Sequence, residues 1–544
     1  MTPRSRVVAA TAAAALALGG TSLWIGSAHA GVTASTKDRR AVAEAVLDHW
    51  TKSPRTPAAT RVLRHVADRP LFGGDDAVAF AKARPRSGGD GGDGGGTLAN
   101  VRVNDPSLDK FQTDQTTQSE TSIAVAGKNV VVGYNDSQQA LLAQTNGIDL
   151  SGYAYSTDSG TTFTDAGTVP NLPNFMNVGD PWLATDRAGN IYYSTLAFGG
   201  DAGNLEIGVA KSTNGGKTFS APVIASPNDA TAIYQGDKDA LTVGRSVTDP
   251  SKDVLYDAWD DFTCSGDFST CTNGLPVARS SDAGATWTIS YADKFVADPN
   301  SCSFAQYIGA QPLVDPRNGK LYVSSEKFSI DDPTCSGTAS VATTEVLFTS
   351  TDGGQTFGPG VTIATITPAS PNGALNVGPG QFIRTVEFPT IALAGNKILV
   401  AWNDGESGNS HIRLASSTDG GGSWTTEWVT AGTGDEIQPA LTSDRSGLHL
   451  LFYQRNADNT LDVDVANGNG HTWSIRTVTS RSFPGVVNVP QFDPQIAFGY
   501  MGDYIANVSD GSRSYFAWGD NRNKVVNFTH PQGRNDPDVY FAKQ

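Results

Sequence analysis

Short runs that alternate apolar and polar residues recur along most of this chain, as in Asn190-Ile-Tyr-Tyr-Ser194, Lys320-Leu-Tyr-Val-Ser324 and Lys397-Ile-Leu-Val-Ala401. A period of two over four or five positions predicts half-buried β-strands. Ahead of these runs stand seven similar segments: Glu120-Thr-Ser-Ile-Ala124, Asp180-Pro-Trp-Leu-Ala184, Asp239-Ala-Leu-Thr242, Gln311-Pro-Leu-Val314, Glu387-Phe-Pro-Thr-Ile-Ala392, Gln438-Pro-Ala-Leu441 and Asp493-Pro-Gln-Ile-Ala497. Each reads as the first strand of a repeated unit. The pattern differs before residue 98. Ala41, Val42, Ala45, Val46 and Trp50, then Val62, Leu63 and Val66, fall at helical spacing, broken by Ser53-Pro54. This predicts a short helical pro-segment or spacer over residues 31–86. Residues 87–97, rich in Gly and Asp, follow as a linker with nothing to bury.

A second repeat lies between strands. Ser156-Thr-Asp158-Ser-Gly160-Thr-Thr162-Phe163, Ser212-Thr-Asn214-Gly-Gly216-Lys-Thr218-Phe219 and Ser280-Ser-Asp282-Ala-Gly284-Ala-Thr286-Trp287 share one pattern. Ser350-Thr-Asp352-Gly-Gly354-Gln-Thr356-Phe357 and Ser417-Thr-Asp419-Gly-Gly421-Gly-Ser423-Trp424 repeat it, and a sixth copy decays to Gly470-His471-Thr472-Trp473. An Asp or Asn oxygen accepts backbone N–H groups of its own turn, Gly supplies positive φ, and the aromatic drops into the core. Asp158, Asn214, Asp282, Asp352 and Asp419 therefore read as hairpin clips without chemistry of their own. The pattern resembles the Asp-box, or BNR repeat, of the sialidase-like β-propellers, over roughly residues 98–544. That resemblance implies an all-β propeller with four strands per blade. The seven leading segments then predict seven blades, with six, the sialidase number, as the alternative. Either residues 98–103 or residues 539–542 would supply the strand that closes the ring.

Composition narrows the partners. With 10 Trp, 15 Tyr and 23 Phe the chain can fill a core, and 59 Gly with 28 Pro suit many turns. A net charge of −16 disfavours nucleic acid, whose phosphates are bound by clustered Lys and Arg. Arg4 and Arg6 precede an apolar run from Val7 to Leu18, then Ala28-His29-Ala30, which together predict a secretory leader over residues 1–30. The run is shorter than the roughly 20 apolar residues of a membrane span. A secreted, extracellular protein without a span after leader removal is expected. Four cysteines allow three pairings, and Cys264–Cys271 with Cys302–Cys335 is favoured because each bridge would staple an Asp/Ser/Gly-rich insertion. No Cys-x-x-Cys or close His pair suggests zinc.

Antiparallel connectivity separates two faces: the start of a blade's first strand lies opposite its third-to-fourth turn, so clips and leading residues occupy different sides. Glu120, Asp180, Asp239, Glu387 and Asp493 should converge near the axis, with Gln311 and Gln438. Crowded carboxylates repel, so one keeps a raised pKa or the group holds a cation such as Ca²⁺; no cofactor is otherwise required. A carboxylic acid beside a carboxylate is also the apparatus of glycoside hydrolysis. Glu387, Asp180, Asp239 and Asp493 are the catalytic candidates, and Glu120 joins the substrate-binding set. Tyr134-Asn-Asp136, Trp259-Asp-Asp261, Trp402-Asn-Asp404 and Trp518-Gly-Asp520 end the second strands. Trp259, Trp402 and Trp518 are thereby candidate sugar platforms, against the plainer reading of packing between blades.

The resemblance breaks at one point. Sialidases hold the substrate carboxylate with three arginines, the first in a Phe/Tyr-Arg-Ile-Pro motif. The corresponding segment here is Val386-Glu387-Phe388-Pro389, with the charge reversed. Sialic acid recognition by that route is not expected, and Arg384, Arg245 and Arg455 are the substitutes to consider. The family's nucleophile is a Tyr paired with Glu; Tyr504 in Gly502-Asp503-Tyr504 is the candidate. No Gly-x-Ser-x-Gly elbow or phosphate-cradling loop occurs. The expectation is a monomeric, secreted, glycan-directed protein, an exo-acting glycoside hydrolase on a glycan or cell-wall polysaccharide. A non-catalytic carbohydrate- or protein-binding module is the alternative.

Overall fold

A computed structural model describes residues 98–108, 117–136, 149–200, 204–227, 229, 231–265, 270–298, 300–335, 339–369, 374–378, 381–485, 501–526 and 531–544. The leader, the helical segment, the Gly/Asp linker and Asp493 lie outside them. The regular secondary structure of the described residues is strand, apart from one short 3₁₀ turn at Pro106–Leu108. No helix among them is long and apolar enough to cross a membrane.

Alternation along the chain produces antiparallel meanders of four strands. The first comprises Gln118–Ala126, Asn129–Asp136, Ser151–Ser156 and Thr164–Thr168, paired in that order. Six more follow, their first strands at Trp182–Thr185, Ala232–Arg245, Phe304–Val314, Thr390–Ala394, Asp435–Ser443 and Ala506–Ser509. The second and third meet through a single parallel pairing, Gln235 with Leu205. A separate hairpin, Ala374–Gly378 with Gln381–Arg384, stands between the fourth and fifth.

The inner strands of each meander are covered on both sides because each meander packs on the next, while the fourth strands stay largely exposed. Tyr193 and Leu183 of the second meet Val131 of the first, Tyr256 of the third meets Val323 of the fourth, and Trp402 of the fifth meets Tyr322 of the fourth. The last of these apolar layers joins the seventh meander back to the first, with Phe541 and Tyr515 against Tyr134 and Ile123. The sheets thus stack one on the next in a nearly all-β, propeller-like arrangement.

Both proposed closing segments take part. Val101–Arg102 pairs with Tyr540 and Phe541 as the fourth strand of the last meander, and Asn104 Nδ2 donates to Asp538 Oδ1 at 2.9 Å. Deleting residues 98–104 removes that strand and exposes a hydrogen-bonding edge. Such a variant is expected to melt earlier and to aggregate, as scanning calorimetry and light scattering would record.

The turns fold on themselves. Asp158 Oδ1 accepts from Ser156 Oγ at 2.7 Å and from the Thr162 amide at 2.9 Å, while Thr162 Oγ1 donates to Oδ2 at 2.7 Å. Asp282, Asp352 and Asp419 repeat these bonds, and Asn214 accepts in the same way from Ser212 and the Thr218 amide. The bonds to Thr286 and its amide help hold the Asp282 carboxyl down to about 2. At Gly216 (φ +82°) a Cβ would come within 2.0 Å of Val131 Cγ2, so the turn seats against the neighbouring meander only with glycine.

Two disulfides, Cys264–Cys271 and Cys302–Cys335, staple the third and fourth meanders. Cys264 and Cys271 face each other on adjacent strands. Both bridges lie at the edge where first strands begin, opposite the turns.

Candidate functional site

One cavity of about 310 Å³ runs along the axis, lined by residues of every meander's first strand or its lead-in. The lead-in is where this sequence concentrates charge. A repeated irregularity places one residue in the left-handed region in six of the seven meanders: Glu120 (φ 49°), Asp180 (φ 53°), Lys238 (φ 52°) and Gln438 (φ 54°), with Gly309 and Gly502 at equivalent places; the lead-in containing Glu387 has none. The bulge turns these side chains toward the axis and their neighbours, at a cost of roughly 1–2 kcal/mol per non-glycine residue.

Lys238 decides what the acids do. Its Nζ lies 3.2 Å from Glu120 Oε1, 2.9 Å from Asp180 Oδ2 and 2.9 Å from Asp503 Oδ2. The four residues come from the third, first, second and seventh meanders and are all buried. Glu120 is tied further by Asn135 Nδ2 on Oε2 (2.8 Å) and the Asp503 amide on Oε1 (3.0 Å). Burial opposes charge on Lys238, but Asp180, Asp503 and Glu120 outweigh it and raise its pKa well above the usual lysine value. Burial, and next the Asp180 charge, push Glu120 well up.

Several expectations are corrected by these contacts. Asp180 and Glu120 converge as expected, but as ligands of a buried ammonium, so neither presents a free carboxylate to a substrate. At the third lead-in Lys238, rather than Asp239, takes the place of Glu120 and Asp180; Asp239 stands one residue on, in the cavity wall. The first described strand of the last meander, Ala506–Ser509, follows Gly502-Asp503-Tyr504, and the segment containing Asp493 lies outside the described residues.

Tyr504 packs against Trp182 at 5.4 Å, and its hydroxyl donates to the Pro181 carbonyl at 3.2 Å. Burial, with Glu120 and Asp180 nearby, raises its pKa well above the usual tyrosine value. Trp259, Trp402 and Trp518 are 0 % exposed and lie between meanders, so none offers a face to a sugar. Their indole N–H groups donate to Tyr234, Asp404 and Asp520. Arg455 is paired with Asp435, and Arg245 donates to carbonyls of Pro316 and Arg317 at the clip edge. The side chain of Arg384 lies outside the described ones.

Glu387 leads to a second acidic group that the sequence reading did not assemble. Glu326 and Glu345 stand directly opposite each other on adjacent strands of the fourth meander. Glu387 approaches from the fifth, where its Oε1 accepts from the Ala369 amide at 3.0 Å. Glu345 is 0 % exposed and neither carboxylate oxygen has a hydrogen-bond partner. Burial, then Glu326 and Glu387, raise its pKa well above the glutamate value. Burial and Glu326 do the same to Glu387. Glu326 is half-buried, and burial pushes it up to about 7. No ion pair reaches these three among the described residues, so together they retain a proton where isolated glutamates would have lost it.

No protein-family profile matches the chain. Over 287 residues it is 28% identical to a xyloglucanase of Hypocrea jecorina (strain QM6a), an alignment covering 50% of this chain and 29% of that enzyme. The chain therefore spans less than a third of that relative's length. Among solved structures it is similar to an α-L-arabinofuranosidase of Fusarium graminearum in complex with arabinobiose, at TM-score 0.38 and 14% identity over 68% of this chain and 93% of the other. A Penicillium chrysogenum α-L-arabinanase gives 0.39 and 15% over 68% and 93%, and Trypanosoma rangeli sialidase 0.38 and 11% over 82% and 59%. Likenesses at this distance carry nothing about activity.

Proposed function

We propose that this chain is a secreted, glycan-directed seven-bladed propeller of the sialidase-like, Asp-box kind that hydrolyses a glycosidic bond. The observation that supports the chemistry is the glutamate trio at the disulfide-stapled edge. Glu326 carries a proton near neutral pH and has an exposed part from which to deliver it to a leaving oxygen. Glu387 is its partner carboxyl, the base or nucleophile once ionised, and Glu345 stands opposite Glu326 on the adjacent strand. The trio is acidic and Glu387 stands where sialidases carry an arginine, so the substrate is a neutral glycan. Export is supported by the leader sequence and by the two bridges.

The test is turnover of an oligosaccharide panel, including xyloglucan, arabinan and sialyl substrates, by the wild type and by Glu326→Gln, Glu387→Gln and Asp180→Asn. Hydrolysis of a neutral member, lost in the two glutamate variants, is expected. Asp180→Asn should instead lower thermal stability. Binding without turnover by the wild type would replace this reading with the non-catalytic module, and cleavage of a sialyl substrate would overturn the argument from charge.

A further inference from the structure

A second cavity, of about 290 Å³, opens at the clip edge between the third and fourth meanders, on the side away from the glutamate trio. Two unpaired donors line it. Tyr256 and Arg279 stand directly opposite each other on adjacent strands of the third meander, which puts their side chains on one face. Tyr256 is 1 % exposed, and its hydroxyl makes no hydrogen bond among the described residues. That hydroxyl points to the clip of the next meander, where a Cβ on Gly353 would lie 3.4 Å from it. Arg279 is half-buried and has neither an ion pair nor a hydrogen bond among the described residues.

Two other meanders show what is missing here. In the second, Tyr192 and Lys211 are opposite each other in the same way, Tyr192 donates to Asp186 Oδ2 at 2.9 Å, and Lys211 Nζ lies 5.4 Å over the tyrosine ring. In the seventh, Tyr515 donates to Asp510 Oδ2 at 2.7 Å. Asp186 and Asp510 each open the turn between a first and a second strand. The third meander has Ser246 at that place, and its hydroxyl is occupied by the Thr248 and Asp249 amides, both at 3.2 Å. The phenol and the guanidinium are therefore left facing the cleft. Burial pushes the Tyr256 hydroxyl up to about 12, so it remains a donor at neutral pH.

The rest of the lining selects the ligand. Asp352 faces the same space, with its carboxylate held by the Ser350 and Thr356 hydroxyls and by the Gln355 and Thr356 amides. Ser281, Thr286 and Thr288 add an exposed hydroxyl rim. A guanidinium fork beside a phenol suits a carboxylate, which takes two parallel hydrogen bonds from arginine. Asp352 and the rim suit hydroxyl groups. A simple anion meets only the first demand, whereas a sugar that carries a carboxylate meets both. The space stands at the small end of ligand pockets, about 300–1,000 Å³, and fits one sugar ring. We propose that this cleft binds a uronate sugar, with its carboxylate on Arg279 and Tyr256 and its hydroxyls toward Asp352 and the Ser/Thr rim. A chain held there leaves the opposite edge, and the trio, free.

The experiment titrates the full chain calorimetrically with sodium glucuronate, sodium galacturonate and oligogalacturonate, and with glucose, sodium acetate and sodium sulfate for comparison. The uronates are expected to bind at least about tenfold more tightly than the other three. Arg279→Met should weaken uronate binding by about tenfold or more, and Tyr256→Phe, which keeps the buried ring, by about three- to tenfold. The tyrosine variant keeps the test open if the arginine variant does not fold. A gain from galacturonate to oligogalacturonate assigns the cleft to an acidic polysaccharide, and equal affinities assign it to a free uronic acid; both support the proposal. It is overturned if no uronate binds, if glucose, acetate or sulfate binds as tightly, or if both variants bind uronate as the wild type does.

Discussion

Lys238→Met is expected to be among the most destabilising single substitutions in the chain. Methionine keeps the volume of the side chain and removes the ammonium, leaving Glu120, Asp180 and Asp503 buried together without a counter-charge. Removing one partner of a buried ion pair costs about 3–5 kcal/mol, because the remaining charge keeps its desolvation penalty and loses its compensation. Three acids depend on this one cation, so the upper part of that range applies. The midpoint of urea denaturation should fall at neutral pH, and an unchanged midpoint would show that the cluster is neutralised by protons instead.

The pH dependence has a definite sign. A carboxyl whose pKa is higher folded than unfolded binds more protons in the folded state, so stability falls as pH rises above the unfolded value of about 4.3 toward the folded one. Glu120 is already in this class in the wild type, and Lys238 is what limits its rise. Without the lysine the upward shift grows. The gap in stability between Lys238→Met and wild type should therefore be small near pH 4–5 and widen toward pH 7. A gap that stayed constant would point to lost packing rather than lost charge.

The features read correctly from sequence were those whose cause is local. The clips are legible because the Asp158 and Asp419 bonds close within five residues, and strands are legible because alternation is a property of neighbours. The bridges followed from two cysteine pairs flanking their own insertions. What failed depended on register or on the third dimension. Lys238 is invisible to an alignment of acids, because aligning Asp239 with Asp180 moves the bulge by one residue. Asp503 is hard to see from sequence because Gly502-Asp503-Tyr504-Ile505 matches Asp180-Pro-Trp-Leu-Ala184 less closely than Asp493-Pro-Gln-Ile-Ala497 does. The tryptophans were misread as rim residues because a strand end looks exposed in one sheet. Where sheets stack face to face the inner strands are covered on both sides, and Trp402 and Trp518 end between neighbours. Glu326 and Glu345 left one signal, acids within otherwise apolar or hydroxylated strand segments. Recognising them as a facing pair required the register of the hairpin.

Glu326→Gln is expected to lower kcat on a neutral glycan by about 10²–10⁴-fold, the range for loss of a general acid. Glutamine is isosteric and uncharged, so the fold should persist and the loss should fall on leaving-group protonation. The same variant should recover much of its rate on an aryl glycoside whose leaving group departs without a proton; Glu387→Gln, which removes the base or nucleophile, should not. The wild-type rate should decline as pH rises through about 7, where Glu326 gives up the proton that burial holds on it. Glu345 supplies the decisive comparison. It faces Glu326 across the strand pair, and its own burial keeps it protonated near pH 7, so Glu345→Gln leaves the local charge unchanged. Burial is what raises Glu326, so the alkaline limb of the pH–rate profile should stay in place and kcat should be kept. A limb that moved to lower pH would mean that Glu345 is ionised and that its charge, rather than burial, holds the proton on Glu326.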